Sequence, residues 1–139
     1  MYNADTYRTI LSFDTGTIPD SAAITGVKLK VYRKSLSGTI SSIKVDIKSG
    51  AFGTSSVLEQ ADYSAAPSAS SVASFASPAF NQGFTEISLP STAFVNINKT
   101  GKTQLRLSAS TPAYFTSDVL ENYGGEDTVY APILTVDYY

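Results

Sequence analysis

The stretch Ile24–Tyr32, "ITGVKLKVY", decides the fold. Val27, Leu29 and Val31 fall on one side of a two-residue period and Lys28, Lys30 and Tyr32 on the other, the alternation of a β-strand. Charges at every second position mean one wet face and one dry face, as in an antiparallel sheet packed on one side. The pattern recurs in both directions. Upstream, Thr9, Leu11 and Phe13 alternate with Arg8, Ile10 and Ser12, which predicts a strand from about Tyr7 to Phe13. The turn chemistry of Asp14-Thr-Gly16 and Pro19-Asp20 ends it. Downstream, Ile43, Val45 and Ile47 alternate with Lys44, Asp46 and Lys48, and Thr103, Leu105 and Leu107 with Gln104, Arg106 and Ser108. Thr85, Ile87 and Leu89 make a strand closed by Pro90. Val119–Tyr123 reads as another, and Ile133–Tyr138 as the last, with Leu134, Val136 and Tyr138 on one face.

The connecting segments are less regular. Ser35–Ser42 reads as a connection, and Thr92–Ile97 as either a short helical turn or an extended piece. Asn98-Lys-Thr-Gly101 is a turn, and its Asn98-Lys-Thr100 also matches a glycosylation sequon. Ser64–Ser77 is mostly Ser, Ala and Pro, the composition of a linker. The flanking Tyr63, Phe75 and Phe80 instead predict a long loop or irregular edge strand pinned to the body of the protein. Seven or so short strands without an amphipathic helix predict an all-β protein, an antiparallel β-sandwich of jelly-roll-like type, with residues 1–139 forming a single domain.

Composition narrows the chemistry. At 139 residues the chain is long enough to bury a core without disulfides or a structural metal. It contains no Cys and no His, which removes thiolate chemistry, zinc-thiolate sites and any triad built on histidine. No Gly-x-Ser-x-Gly element is present, and twelve acidic residues guarantee that some pair lies close, so proximity of carboxylates is weak support for glycoside hydrolysis. No catalytic residue is expected. Lys and Arg are scattered within a formal net charge of -2, so nucleic acid is not an expected partner. Apolar runs fall far short of the roughly 20 residues of a membrane span, and no membrane insertion is expected.

Two constellations invite binding. Nine Tyr and seven Phe provide flat apolar faces, and of these Tyr63, Tyr114, Phe115, Tyr123 and Tyr130 lie in loop-like sequence, suited to stacking on sugar rings or to protein interfaces. Asp118, Glu121, Glu126 and Asp127 bracket Gly124-Gly125, an oxygen-rich loop of the type calcium requires, although not with EF-hand spacing. The competing reading is that these are solvated loop carboxylates.

The segments "RTILSFDTGTIPDSAAITGVKLKVY" (Arg8–Tyr32), "INKTGKTQLRLS" (Ile97–Ser108) and "YGGEDTVYAPILTVDYY" (Tyr123–Tyr139) together resemble the DNRLRE-type family of extracellular β-sandwich domains. That family is related to family 96 carbohydrate-binding modules and to archaeal disaggregatase-related domains. The resemblance covers the two ends of the chain, about half of it. It implies an accessory, adhesive or structural module on secreted and cell-surface proteins. Related domains carry enough residues ahead of the first strand for an additional one, whereas seven precede Arg8, and the tryptophans often seen in their middle region are missing. Positions corresponding to Arg8 and Glu126 recur together in the family. An arginine fork bridging strands to a carboxylate makes a directional contact, so Arg8 is expected to pair with Glu126 or with Asp14 as framework residues.

The resulting expectation is a noncatalytic, extracellular or cell-surface carbohydrate-binding module. Its partner would be a polysaccharide or cell-envelope glycan, with calcium as the one possible cofactor. The alternative is a structural or adhesive domain of a surface stalk or filament, self-associating through a strand edge.

Overall fold

The computed structural model describes residues 7–110 and 118–139. They form eight strands: β1 (Arg8–Asp14), β2 (Ile24–Ser37), β3 (Ser42–Ser49), β4 (Ala69–Phe75), β5 (Phe84–Ser88), β6 (Lys102–Ser110), β7 (Val119–Asn122) and β8 (Ile133–Tyr138). Sheet one has the order β1-β6-β3-β4, and in sheet two β2 lies between β5 and β7, with all described pairings antiparallel. β8 joins β7 on one side of β2, pairing Ile24–Lys30 while β7 pairs Arg33–Ser37. The chain changes sheet at every connection except β3–β4 and β7–β8. The two sheets pack as a β-sandwich.

The alternation that announces β2 also builds the core. Val27, Leu29 and Val31 are at most 1% exposed and pack in one cluster with Ile43, Val45, Ile47, Leu105 and Leu107 from sheet one. Each such side chain contributes about 1.5–3 kcal/mol through removal of its apolar surface from water. The ambiguous segment after Pro90 is a 3₁₀ turn, Ser91–Asn96, whose Ala93 is buried against the core together with the following Ile97.

One connecting segment differs from the sequence reading and another follows it. Ser35–Ser37 is not a connection but the end of β2, paired with β7 beyond a register shift at Arg33–Ser35. The Ser- and Ala-rich region forms an irregular edge strand, β4, with a register shift between Val45 and Ile47 and a positive φ of 51° at Ser71. The cause is specific: the Asp46 carboxylate accepts the Ser71 N–H at 2.8 Å, pulling the edge out of regular pairing.

Sheet one is covered on its outer face as well. Asp46, Gln104 and Arg106, which alternation turns away from the core, are 3%, 1% and 4% exposed. The segment 50–68 crosses over them. Arg106 donates through Nε and Nη2 to Asp46 Oδ2, at 3.2 and 2.8 Å, and through Nη1 to the carbonyls of Asp62 and Ala65. Phe52 is fully buried over the guanidinium, 4.5 Å from its ring centroid, while its N–H donates to Gln104 Oε1 at 2.9 Å. Burial pushes the Asp46 carboxyl up, but the Ser71 N–H and the Arg106 guanidinium outweigh it and hold the group below its ordinary range.

Gly53 makes the crossing possible. Its φ is +68°, and a Cβ there would lie 2.5 Å from Glu59 Oε1 and 2.6 Å from Asp62 Oδ1. Any side chain would displace the two carboxylates that organise the next turn.

Candidate functional site

No described segment covers the outer face of sheet two, and a row of aromatic rings lies across it. Because Val31 faces the core, Tyr32 faces out, and its cross-strand partner is Phe84 at the start of β5. Their ring centroids are 5.5 Å apart. On the other side of Tyr32 lies Tyr130 at 5.4 Å, and beyond it Tyr123 at 4.8 Å. The first two contacts are tilted by 59° and the last by 32°, arrangements in which ring edges meet ring faces or overlap obliquely. Phe84 is 54% exposed, and the three tyrosines are half-buried.

Each ring is held by identifiable backbone chemistry. The Arg33 N–H donates to the Gly83 carbonyl and the Gln82 N–H to the Arg33 carbonyl, which extends the β5 side of β2 past Phe84. Arg33 also donates through its guanidinium to Asn81 Oδ1 and the Pro78 carbonyl, both at 2.9 Å. On the opposite side, the Tyr123 N–H donates to the Tyr32 carbonyl at 3.0 Å. The chain then leaves β2, and the Asp127 N–H closes a turn on the Gly124 carbonyl. The Asp127 carboxylate accepts the N–H groups of Val129 and Tyr130 at 2.8 and 2.6 Å, which returns Tyr130 to the row. Those bonds, that from Tyr130 foremost, hold the Asp127 carboxyl below its ordinary range.

Polar groups border the rings. Gln82 Nε2 donates to the Tyr123 hydroxyl at 3.0 Å, across the strand between them. Lys30 Nζ lies 4.4 Å from the Phe84 ring centroid and 3.9 Å from Glu86 Oε2. Glu121 and Thr135 are exposed, while their neighbours Leu120, Leu134 and Val136 pack on the core. The surface is therefore apolar along its middle, with hydrogen-bonding groups and both signs of charge around it.

The aromatic residues picked from sequence divide. Tyr123 and Tyr130 come together, whereas Tyr63 lies against Arg8 by sheet one, and Tyr114 and Phe115 fall outside the described residues. Tyr32 and Phe84 were not anticipated, although their phase carried the signal. Tyr32 shares the outward side with two lysines, and Phe84 shares it with Glu86 and Ser88.

The carboxylates picked as calcium ligands do not converge. Asp118 accepts the Thr39 N–H, Glu121 is on β7, Glu126 folds back over Gly124, and Asp127 closes its own turn. Among the described residues no three Asp or Glu side chains are grouped to hold a metal ion. The expected pairing of Arg8 is also corrected. Its guanidinium donates to the Tyr63 carbonyl and lies 4.3 Å from that ring's centroid. Asp14 is at the opposite end of the same strand, where it accepts the Gly16 N–H at 3.0 Å. Asn98 acts as a turn residue, accepting from the Thr100 N–H and donating to the Lys102 carbonyl. Comparison of the chain with protein-family models, curated proteins and solved structures finds no match.

Proposed function

We propose that this protein is a noncatalytic carbohydrate-binding module of the cell surface or extracellular space, and that the row Phe84–Tyr32–Tyr130–Tyr123 is its glycan platform. The row itself carries the reading. Four touching rings, with Ile133 and Val119 exposed on the same sheet face, offer the apolar surface on which the C–H faces of sugar rings stack. Lys30, Glu86, Gln82 and Glu121 around it supply donors and acceptors for hydroxyl groups, the division of labour usual in a binding site. The resemblance of the chain's two ends to DNRLRE-type domains points the same way.

Affinity electrophoresis through gels containing neutral or acidic polysaccharides is the direct test. Retardation of the wild type by at least one polysaccharide, lost in Tyr32→Ala, is the expected result. Migration unaffected by every polysaccharide would refute the proposal.

A further inference from the structure

A second surface, the edge of β1 that no described strand pairs, has features that select its own partner. The Thr15 N–H donates to the Gly101 carbonyl, in register with the pairing of Phe13, Leu11 and Thr9 to β6. Those odd-numbered residues therefore spend their backbone groups on β6. Arg8, Ile10, Ser12 and Asp14 turn theirs to the opposite side, where no strand pairs with them among the described residues. A cleft of about 490 Å³ separates this edge from the β7–β8 connection at Asn122–Glu126.

The other edges carry recognisable protection. β4 is bulged, β5 and β7 are short, and the β2–β8 register is interrupted at Ile24–Gly26. β1 is the longest edge strand with an unbroken register, and it contains no Lys, Pro or Gly. Such an edge is a template for another strand.

The sequence of β1 says which strand fits. In "RTILSFD" the positive residue is first and the negative one last. When two copies meet antiparallel, all four outward-turned residues find hydrogen-bonding partners if Arg8 faces Asp14 and Ile10 faces Ser12 of the second copy. Leu11 then meets Leu11 at the two-fold axis. Directly opposed residues project on one face, so this same register forms two ion pairs. Hydrogen bonding and charge select one alignment, and the contact is self-complementary, as a two-fold dimer requires.

We propose that the chain forms a homodimer by antiparallel β1–β1 pairing, with Arg8 of each copy opposite Asp14 of the other. Sedimentation velocity over a concentration series tests this independently of glycan binding, which uses the other sheet. The wild type is expected to pass from monomer to dimer as concentration rises, the more readily at low salt. Ile10→Pro removes an N–H that β6 does not use, so it is expected to abolish the dimer while the monomer stays folded. Arg8→Asp is expected to weaken association about tenfold or more by setting like charges opposite each other, and the Arg8→Asp/Asp14→Arg double variant to restore it.

The absence of cysteine allows a direct reading of the register. Ile10→Cys mixed with Ser12→Cys is expected to give a disulfide-linked dimer under mild oxidation, because directly opposed residues fall within disulfide reach and diagonal ones do not. Each variant alone is expected to cross-link much less. A chain monomeric at millimolar concentration would overturn the proposal, whether another segment or partner covers the edge or nothing does. So would a dimer indifferent to Ile10→Pro, or a double variant no tighter than Arg8→Asp.

Discussion

The outer faces of the two sheets start from similar patterns and end differently. Both alternate apolar residues with Lys, Asp, Glu, Gln or Arg, and both read as wet. In sheet one the segment 50–68 closes over the face, and the Asp46–Arg106 pair and the Gln104 amide meet most of its polar groups internally, while Asp62 Oδ1 and Ser108 Oγ are buried without a hydrogen-bond partner among the described residues. In sheet two no described segment covers β5 and β2, and the space above them is occupied by exposed Phe84 and half-buried Tyr32. A buried polar network fixes structure, because each group left without its partner is costly. A half-buried aromatic row adds ring packing to the sheet and still leaves part of its surface available for contact.

The sharpest way to break the comparison is to remove one partner from the sealed face. Asp46→Ala leaves the Arg106 guanidinium buried and unpaired, with Phe52 packed over it, and is expected to lower stability by about 3–5 kcal/mol in urea unfolding. Retardation by polysaccharide, measured where the variant is still folded, is expected to stay unchanged. Loss of both together would show that the two faces are not independent.

The reciprocal experiment is Tyr130→Ala. It removes the ring that joins Tyr32 to Tyr123, so glycan affinity is expected to fall about tenfold or more, as at a central interface residue. Because the ring is only half-buried, the stability cost is expected to be well below that of Asp46→Ala. A variant equally damaged in both measurements would show that the row is packing rather than platform.

The period of two was enough to read the strands of the core, because Val27, Leu29, Val31, Val45, Ile47 and Leu105 are the residues that the interior removes from water. It did not reveal that Asp46 and Arg106 face one another, because that depends on the β3–β6 register, a contact between residues far apart in sequence. Nor did it reveal the end of β2, where Arg33-Lys-Ser-Leu-Ser lacks regular alternation and a bulge supervenes. The aromatic row was half legible. Tyr123 and Tyr130 stand in loop-like sequence, while Tyr32 and Phe84 lie in strands, where an outward phase does not say which ring the sheet brings alongside. That Asp118 and Asp127 each accept backbone N–H groups was not legible either, because it depends on how the loops turn rather than on the spacing of acidic residues.

That use of Asp127 gives the smallest and most specific prediction. Its carboxylate is not a ligand contact in this reading; it accepts two N–H groups and so sets where Tyr130 returns to the row. The native state holds its pKa below the unfolded value of about 3.9, so the turn has its full stabilisation above that pH and loses it as pH falls through the depressed value. Retardation by a neutral polysaccharide should therefore be flat from neutral pH down to about 4 and weaken only below it. Asp127→Asn keeps an acceptor oxygen but not the charge, and it is expected to lower affinity severalfold at neutral pH while removing this turn's part of the acid loss. A variant with wild-type affinity and an unchanged acid profile would mean that the turn does not position Tyr130. The order of the aromatic row would then have to come from the rings themselves and from the Gln82–Tyr123 hydrogen bond.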